Sequence, residues 1–204
     1  MDFYAGPFII CVMSISLYKP NSKNTGAAFS FQAGLDNKTQ ELVLYIKAVK
    51  QHSWDAKKKQ GYFHQNAKDP EKNIILKFNE FEIGSFIAAI DNRVEYSTFH
   101  AFGTDKTSIK FLPWDKPLKT TAFDNKTQQY AAKTITIPAF GLTLTKNGNN
   151  SFKTSLEPGE AHCFKAYLKQ ILSLLYTARI EKQIDNIRTG QALKRNEKEE
   201  NFIS

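Results

Sequence analysis

The stretch FNEFEIGSFIAAI, residues 78–90, constrains the fold most, because it predicts a strand that passes directly into a helix. The residues just before it, IILKF at 74–78, are apolar and typical of a strand. Asn79 suits a helix N-cap, and Glu82, three residues later, completes a capping-box pattern. One apolar stripe at helical spacing then follows, formed by Ile83, Phe86, Ile87 and Ile90. A sheet strand therefore ends at Asn79, and a helix begins there.

Three further strands are predicted before this junction. Residues 25–33 alternate with the period of a strand, and residues 41–50 do the same. The segment GYFH, residues 61–64, supplies a short third strand. The predicted apolar faces consist of Ala27, Phe29 and Phe31 in the first strand and of Leu42, Leu44 and Ile46 in the second. Tyr45 and Lys47 then lie on the opposite face.

The second half of the chain repeats this plan. Strands are predicted at residues 94–102, 107–114, 134–145 and 151–156. A bulge or an edge position is expected at Pro138. We interpret residues 115–133 as a mobile polar loop that orders on a ligand. A helix begins near Pro158 and carries the apolar stripe Phe164, Leu168, Ile171, Leu175 and Ala178. The predicted class is α+β, with two tandem ββββα units whose antiparallel sheets pack on a helical hub.

The chain divides into three parts. Residues 1–13 are expected to be an N-terminal extension that packs loosely or not at all. Residues 14–178 form the folded domain, in units of about 14–91 and 92–178. A helical extension and an acidic tail follow at 179–204.

Composition points to an anionic partner. The formal net charge is +8, which favours nucleic acid or a membrane surface. Sixteen Phe and eight Tyr favour nucleic acid, because bases stack on aromatic rings. No apolar run reaches membrane-spanning length, so no membrane partner is expected. Cys11 and Cys163 have no ligand spacing, which fits a reducing, non-secreted compartment such as a bacterial or viral-host cytoplasm.

Catalysis is not expected. The four histidines (52, 64, 100 and 162) lack a paired ligand spacing, and no nucleophile elbow, P-loop or zinc-protease motif occurs. Adjacent His162 and Cys163 point about 100° apart on a helix and make a poor dyad. We therefore expect no cofactor and no metal.

Three segments resemble the Whirly family and, more broadly, the superfamily of Whirly and positive-cofactor-four coactivators. SLYKPNSKNTGAAFSF, residues 16–31, resembles the family's opening, and WDAKKKQGYF, residues 54–63, resembles its Trp and basic pair before a strand. FNEFEIGSFIAAI resembles its strand-to-helix junction. The resemblance spans residues 15–178. It implies two sheets radiating from a helical hub, protomers joined through their helices, and single strands lying along the sheet edges and faces.

The resemblance and the residue pattern together indicate the binding residues. Between residues 46 and 77 lie eight Lys and three acids, a local charge of +5, interleaved with aromatic rings. The candidate nucleic-acid-binding residues are Lys19, Lys23, Tyr45, Lys47, Lys50, Trp54, Lys57, Lys58, Lys59, Tyr62, Phe63, Lys77 and Lys110. The candidate oligomer hub consists of Ile83, Phe86, Ile87, Ile90, Phe164, Leu168, Ile171 and Leu175. Two alternatives stay open: a solvated loop at Lys57–Lys59, and a core position for Trp54.

The residue patterns and the resemblance together predict a largely sequence-independent single-stranded DNA-binding protein that coats strands in replication, repair or recombination. The resemblance implies that it is a homo-oligomer, a dimer or a tetramer. The alternative is a transcription regulator or an RNA-binding protein of the same fold. After Gly190 the chain reads QALKRNEKEENFIS, which is acidic in its last part and has Phe202 and Ile203 before the final Ser204. This tail is interpreted either as a frayed terminus or as a disordered segment that recruits a replication protein.

Overall fold

The structure is a computed structural model that describes residues 14–36, 38–124 and 128–203, with side chains up to residue 190 except that of Asp124. The predicted N-terminal extension, residues 1–13, lies outside these residues. The described part contains ten strands, two α-helices and a 3-10 helix at His64–Lys68. The strands are β1 Ser14–Lys19, β2 Ala27–Leu35, β3 Leu42–Lys50, β4 Ser53–Asp55, β5 Gln60–Tyr62, β6 Asn73–Phe78, β7 Tyr96–Phe102, β8 Asp105–Asp124, β9 Gln129–Lys146 and β10 Asn150–Leu156. The helices are α1 Glu80–Asn92 and α2 Pro158–Ile203.

Two four-stranded antiparallel sheets form the body. The first sheet has the order β1-β2-β3-β6, and the second has the order β10-β9-β8-β7. Each sheet is followed in the chain by one helix. The structure therefore confirms the predicted α+β class and the two successive units of four sheet strands and a helix.

The predicted third strand of the first unit is wrong. GYFH contributes to β5, which pairs with β4 in a separate two-stranded hairpin. The missing sheet strand is β1, at the start of the described chain, which pairs with β2. Ile15 and Leu17 are the only apolar side chains of this short strand that face the core, so its period-2 signal is weak.

The predicted loop at residues 115–133 is also wrong. Strands β8 and β9 continue through it as a hairpin, with paired residues from Asp115↔Pro138 to Asp124↔Gln129. Threonine and isoleucine favour extended backbone even where no core covers them, and this segment is rich in threonine. We call residues 115–124 and 129–138 the arm. Pro138 lies beyond the last pair of β10 and β9, so it occupies an edge position as predicted.

Helix α1 begins as the sequence predicts. The Asn79 side chain accepts a hydrogen bond from the Glu82 backbone N–H at 3.0 Å, and the Glu82 carboxylate accepts one from the Asn79 N–H at 3.0 Å. These bonds satisfy two of the N–H groups that every helix start leaves open. A single change of direction at Asn79 thus converts β6 into α1.

Helix α2 is longer than predicted. It begins at Pro158, where the Glu160 carboxylate accepts a hydrogen bond from the Glu157 N–H at 2.9 Å. It runs for 46 residues to Ile203, about 69 Å at about 1.5 Å per residue. The expectation of a disordered tail after Gly190 is wrong, because the tail is rich in the good helix formers Gln, Ala, Lys, Arg and Glu.

The core lies between the two sheets, and the helices fill it. Phe86 of α1 contacts Phe111 of β8, with ring centroids 5.1 Å apart. Phe164 of α2 contacts Phe31 of β2 at 4.5 Å, and Phe86 and Phe164 contact each other at 6.0 Å. All four side chains are buried. The apolar faces of both sheets therefore belong to one core.

Polar contacts set the direction of the helix pair. Arg179 forms an ion pair with Glu80 at the start of α1, at 2.8 Å, and Lys165 forms one with Asp91 near its end, at 2.7 Å. The two helices therefore run antiparallel. The Tyr167 hydroxyl donates to the Phe31 carbonyl at 3.0 Å. Burial raises the pKa of Tyr167 to about 12, so this donor keeps its proton at physiological pH.

Two glycines give a matched prediction. A methyl group at Gly84, in the middle of α1, would meet no atom within 4 Å, whereas one at Gly26 would lie 2.5 Å from the Lys19 carbonyl oxygen. Gly84→Ala should therefore raise the free energy of unfolding by about 1 kcal/mol, since alanine costs less backbone entropy in a helix. Gly26→Ala should lower it. Denaturant unfolding of both variants tests this, and a destabilised Gly84→Ala would contradict the geometry.

Candidate nucleic-acid interface

The outer face of the first sheet carries exposed and half-buried polar, aromatic and basic side chains in two rows. Ser14, Gln32, Tyr45 and Lys77 are aligned across the four strands in one row, and Ser16, Ser30, Lys47 and Ile75 in the next. Adjacent rows on one face of a strand lie about 7 Å apart. Tyr45 and Lys47 therefore stand side by side on β3, opposite the buried Leu44 and Ile46, as the alternation predicts.

An aromatic pair extends this face toward the β4–β5 hairpin. Tyr18 of β1 lies in the third row, beside Ala28 of β2, and its ring is 4.9 Å from that of Phe63. The Tyr18 hydroxyl donates to the Gly61 carbonyl of β5. Tyr18 remains 48% exposed. The hairpin is thus anchored to the sheet through a tyrosine whose ring still reaches solvent.

Three consecutive lysines lie at the tip of the β4–β5 hairpin. The Asp55 carboxylate accepts hydrogen bonds from the backbone N–H groups of Lys57 at 2.9 Å and Lys58 at 3.0 Å. Lys59 adopts the left-handed conformation, with φ 51°. All three lysine side chains are exposed. The tight turn therefore leaves three ammonium groups in solvent. Asp55, the only carboxylate of the described hairpin, binds backbone N–H groups there.

One lysine of the face is neutralised within the chain. Lys77 forms an ion pair with Asp36 at 3.0 Å. The pKa of Asp36 is held far below its usual range, first by the hydrogen bond from the Thr39 backbone and then by the one from Lys77. Asp36 therefore stays charged at any physiological pH, and Lys77 contributes little net charge to the face.

A cleft of about 770 Å³ adjoins the end of this sheet. Its basic lining comes from Lys50, His52, Lys72 and Lys153. The Lys50 ammonium lies 5.2 Å from the centre of the Phe152 ring of β10, a cation–π contact. Gln51, 4% exposed, holds one wall through hydrogen bonds to Asn21, Asn24 and Ser53. Glu71 also lines the cleft and Lys72 pairs with Asp69 at 3.3 Å, so Lys50 and Lys153 supply most of the positive charge that suits an anionic group.

The other predicted binding residues occupy different places. Lys19 faces the core side of its sheet and forms an ion pair with Glu160 at the start of α2, which withdraws it from the outer face. Trp54 and Tyr62 are half-buried in the β4–β5 hairpin, whereas Lys23 is exposed in the β1–β2 connection. Lys110 lies on the outer face of the second sheet. The predicted set is therefore divided between two faces.

Sequence reasoning missed several residues of these faces. Tyr18 and Ile75, which is 60% exposed, belong to the first sheet. Phe99, 57% exposed, and Lys153 belong to the second, where Lys153 shares a row with Lys110. The alternation Ser-Ile-Ser-Leu-Tyr in β1 could have revealed Tyr18, because Ile15 and Leu17 mark the opposite face.

The described residues contain neither a membrane-spanning helix nor a cluster of metal ligands. None of the helices there has both the length and the apolar character that crossing a bilayer requires. That part of the chain also holds no group of three or more His, Cys, Asp or Glu side chains arranged around a metal position.

Comparison with known proteins bears on the fold. No protein-family model matches the chain, and no curated protein sequence matches it. Among solved structures, WHY1 from Arabidopsis thaliana is 13% identical over 86% of this chain and 92% of its own, with a TM-score of 0.51. The chain has a Whirly-like fold. WHY3 from Arabidopsis thaliana (14% identity, 85% of this chain and 94% of its own, TM-score 0.48) and the plant transcriptional regulator PBF-2 (14%, 83% and 85%, 0.47) are also similar.

The Lys77–Asp36 pair gives a prediction about the charge on the outer face of the first sheet. Asp36→Asn keeps an acceptor oxygen at Oδ1 for the N–H groups of Lys38 and Thr39, and it removes the charge that neutralises Lys77. If nucleic acid lies on this face, the variant should bind oligo-dT more tightly and with a steeper salt dependence, by about 0.7 in log–log slope. Lys77→Ala should change affinity less than Lys47→Ala. Titrations at several salt concentrations test this, and equal effects of the two alanines would contradict it.

Proposed function

We propose that this protein binds single-stranded DNA with little sequence preference and coats it during replication, repair or recombination. The observation that supports this most is the outer face of the first sheet, where Tyr45, Lys47 and Tyr18 lead to the basic β4–β5 hairpin. The proposed action is stoichiometric binding, without catalysis and without a cofactor.

The charges of this region are available to phosphates. Among the described side chains, no carboxylate forms an ion pair with Lys47, Lys50 or the lysines at 57–59. Each phosphate that such a group neutralises releases counterions, which stabilises the complex and makes it sensitive to salt. The lysines thus supply affinity without selecting a sequence.

The rings support single-stranded over duplex binding. Tyr45 and Tyr18 lie on a sheet surface from which a base can be approached only if it is unstacked from a complementary strand. Stacking on such rings contributes about 1–3 kcal/mol per base for any base. A face with rings and lysines in successive rows therefore suits an extended single strand.

We also propose that the protein is a homo-oligomer. Six of the eight predicted hub residues (Ile83, Phe86, Phe164, Leu168, Ile171 and Leu175) are buried in the core of the single chain. Ile87 and Ile90 are partly buried against the same core. An exposed apolar stripe begins where the buried face of α2 ends and consists of Tyr176, Ile180, Ile184 and Ile187. This stripe supports contact between protomers through α2. We propose separately that a replication protein binds the acidic residues near the end of the chain.

The basic hairpin gives the direct test of DNA binding. Replacing Lys57, Lys58 and Lys59 by alanine should weaken oligo-dT binding and lower the salt slope by about 2, because three phosphate contacts are lost. Lys169→Ala, exposed on α2, is the control and should change neither. Binding of duplex and of RNA is measured in parallel. Equal affinity for duplex and single strand, or no binding to either, would refute the proposal.

The α2 stripe gives the test of assembly. Ile184→Glu places a charge in the middle of the stripe and should reduce the mass in solution, measured by light scattering, without changing the thermal unfolding of the protomer. Ile87→Asp should also break assembly, but it perturbs the core as well. Glu181→Gln, which lies off the stripe, is the control. An unchanged mass for Ile184→Glu would exclude this stripe as the contact.

A further inference from the structure

The arm projects beyond both sheets. From Asp115↔Pro138 to Asp124↔Gln129 its two strands pair only with each other, since β10 ends opposite Phe140. Ten residue pairs at about 3.3 Å each make it about 30 Å long. An uncovered two-stranded hairpin is marginally stable in water, so a ligand would stabilise an arm of this length.

Polar contacts fix the direction of the arm at its base. The Arg93 guanidinium, just after α1, donates to the Trp114 carbonyl at 3.4 Å and forms an ion pair with Asp115. On the opposite face of the hairpin, Lys116 forms an ion pair with Glu157, which directly precedes α2. Glu157 has a lowered pKa because of this lysine, so the contact persists at neutral pH. Residues at the end of α1 and at the start of α2 thus contact the root of the arm.

The outer half of the arm presents two aromatic rings. Phe123 and Tyr130 are directly opposite each other across the hairpin, with ring centroids 5.4 Å apart at 67°. Phe123 is 47% exposed and Tyr130 is 76% exposed. Lys119 lies on the same face, since it is four residues from Phe123 along a strand. The face therefore combines two open rings with an ammonium group.

The charge of the arm indicates the kind of partner. Arg93 and Glu157 neutralise Asp115 and Lys116 at the root. Among the other described side chains of the arm, the charged ones are Lys119 and Lys133, both exposed and both positive. A second copy of this chain carries a net charge of +8 and would repel them. A polyanion with stackable bases fits both the charges and the rings.

We propose that the arm is a second contact for single-stranded nucleic acid, in which Phe123 and Tyr130 stack bases and Lys119, on the same face, binds phosphate. Lys133 is paired with Thr120 and adds positive charge from the opposite face. This inference rests on the proposed function and extends the binding site beyond the first sheet. Strands long enough to reach the arm use both contacts, and short strands use only the sheet face. The arm therefore makes affinity depend on strand length.

The test compares two lengths of oligo-dT. The short one, about 10 nucleotides, lies within the about 4–16 nucleotides that one single-strand-binding module covers, and the long one, about 40 nucleotides, exceeds them. One variant replaces residues 119–134 by Asn-Gly, so that the paired residues Leu118 and Ile135 flank a two-residue turn. A second variant, Phe123→Ala with Tyr130→Ala, keeps the arm. The matched control is Thr121→Ala with Thr134→Ala, on the same face. Circular dichroism checks that each variant folds.

The expected result is that both arm variants bind the long strand about tenfold more weakly, leave the short strand unchanged, and differ from the control. Equal binding of the long strand by all variants would overturn the arm contact while leaving the sheet face intact. A smaller mass in solution with unchanged DNA affinity would also overturn it, in favour of contact between copies. Failure of the unaltered protein to bind either strand would instead refute the proposed function.

Discussion

Each four-stranded sheet has one apolar face that water must not reach, and one pair of helices covers both faces. Phe86 and Phe164 meet at the centre of that arrangement and touch Phe111 and Phe31 on opposite sheets. The helix pair covers apolar residues of both sheets, which also contact each other through β10 and β2. The outward rows on β3 follow from this arrangement, because Leu44 and Ile46 face the shared core.

The shared core leaves the two units free to differ at their surfaces. The first unit inserts the β4–β5 hairpin between the last two strands of its sheet, and the second unit extends its two central strands into the arm. Both additions project lysines, at 57–59 and at Lys119 and Lys133. Similar scaffolds thus support two basic projections at non-equivalent positions, and both belong to the binding surface that we propose.

The sequence predicts those features in which local pattern and burial agree. The capping box at Asn79, the alternation around Tyr45 and Lys47, and the buried apolar face of α2 from Phe164 to Leu175 all follow from residue spacing. The sequence also predicts residues 134–138 of the arm as part of a strand. The rest of the arm could not be predicted in this way, because its strands bury neither face and so lack the apolar alternation that marks a strand. The ion pairs of Lys19 and Lys77 were equally hidden. Their carboxylate partners, Glu160 and Asp36, are remote in sequence and approach only through the fold.

Strands β8 and β9 cross from the second sheet into the arm without interruption. No glycine occurs in β8 or between Gln129 and Pro138, and Pro113, Pro117 and Pro138 restrict the backbone near the root. Within the arm itself no glycine provides a hinge, and Gly141 is the first glycine inside the sheet. A force applied near Phe123 would therefore be carried along the paired strands to the residues that pack on Phe86 and Phe164. If the arm binds a strand as we propose, tension in that strand would act on the centre of the protein.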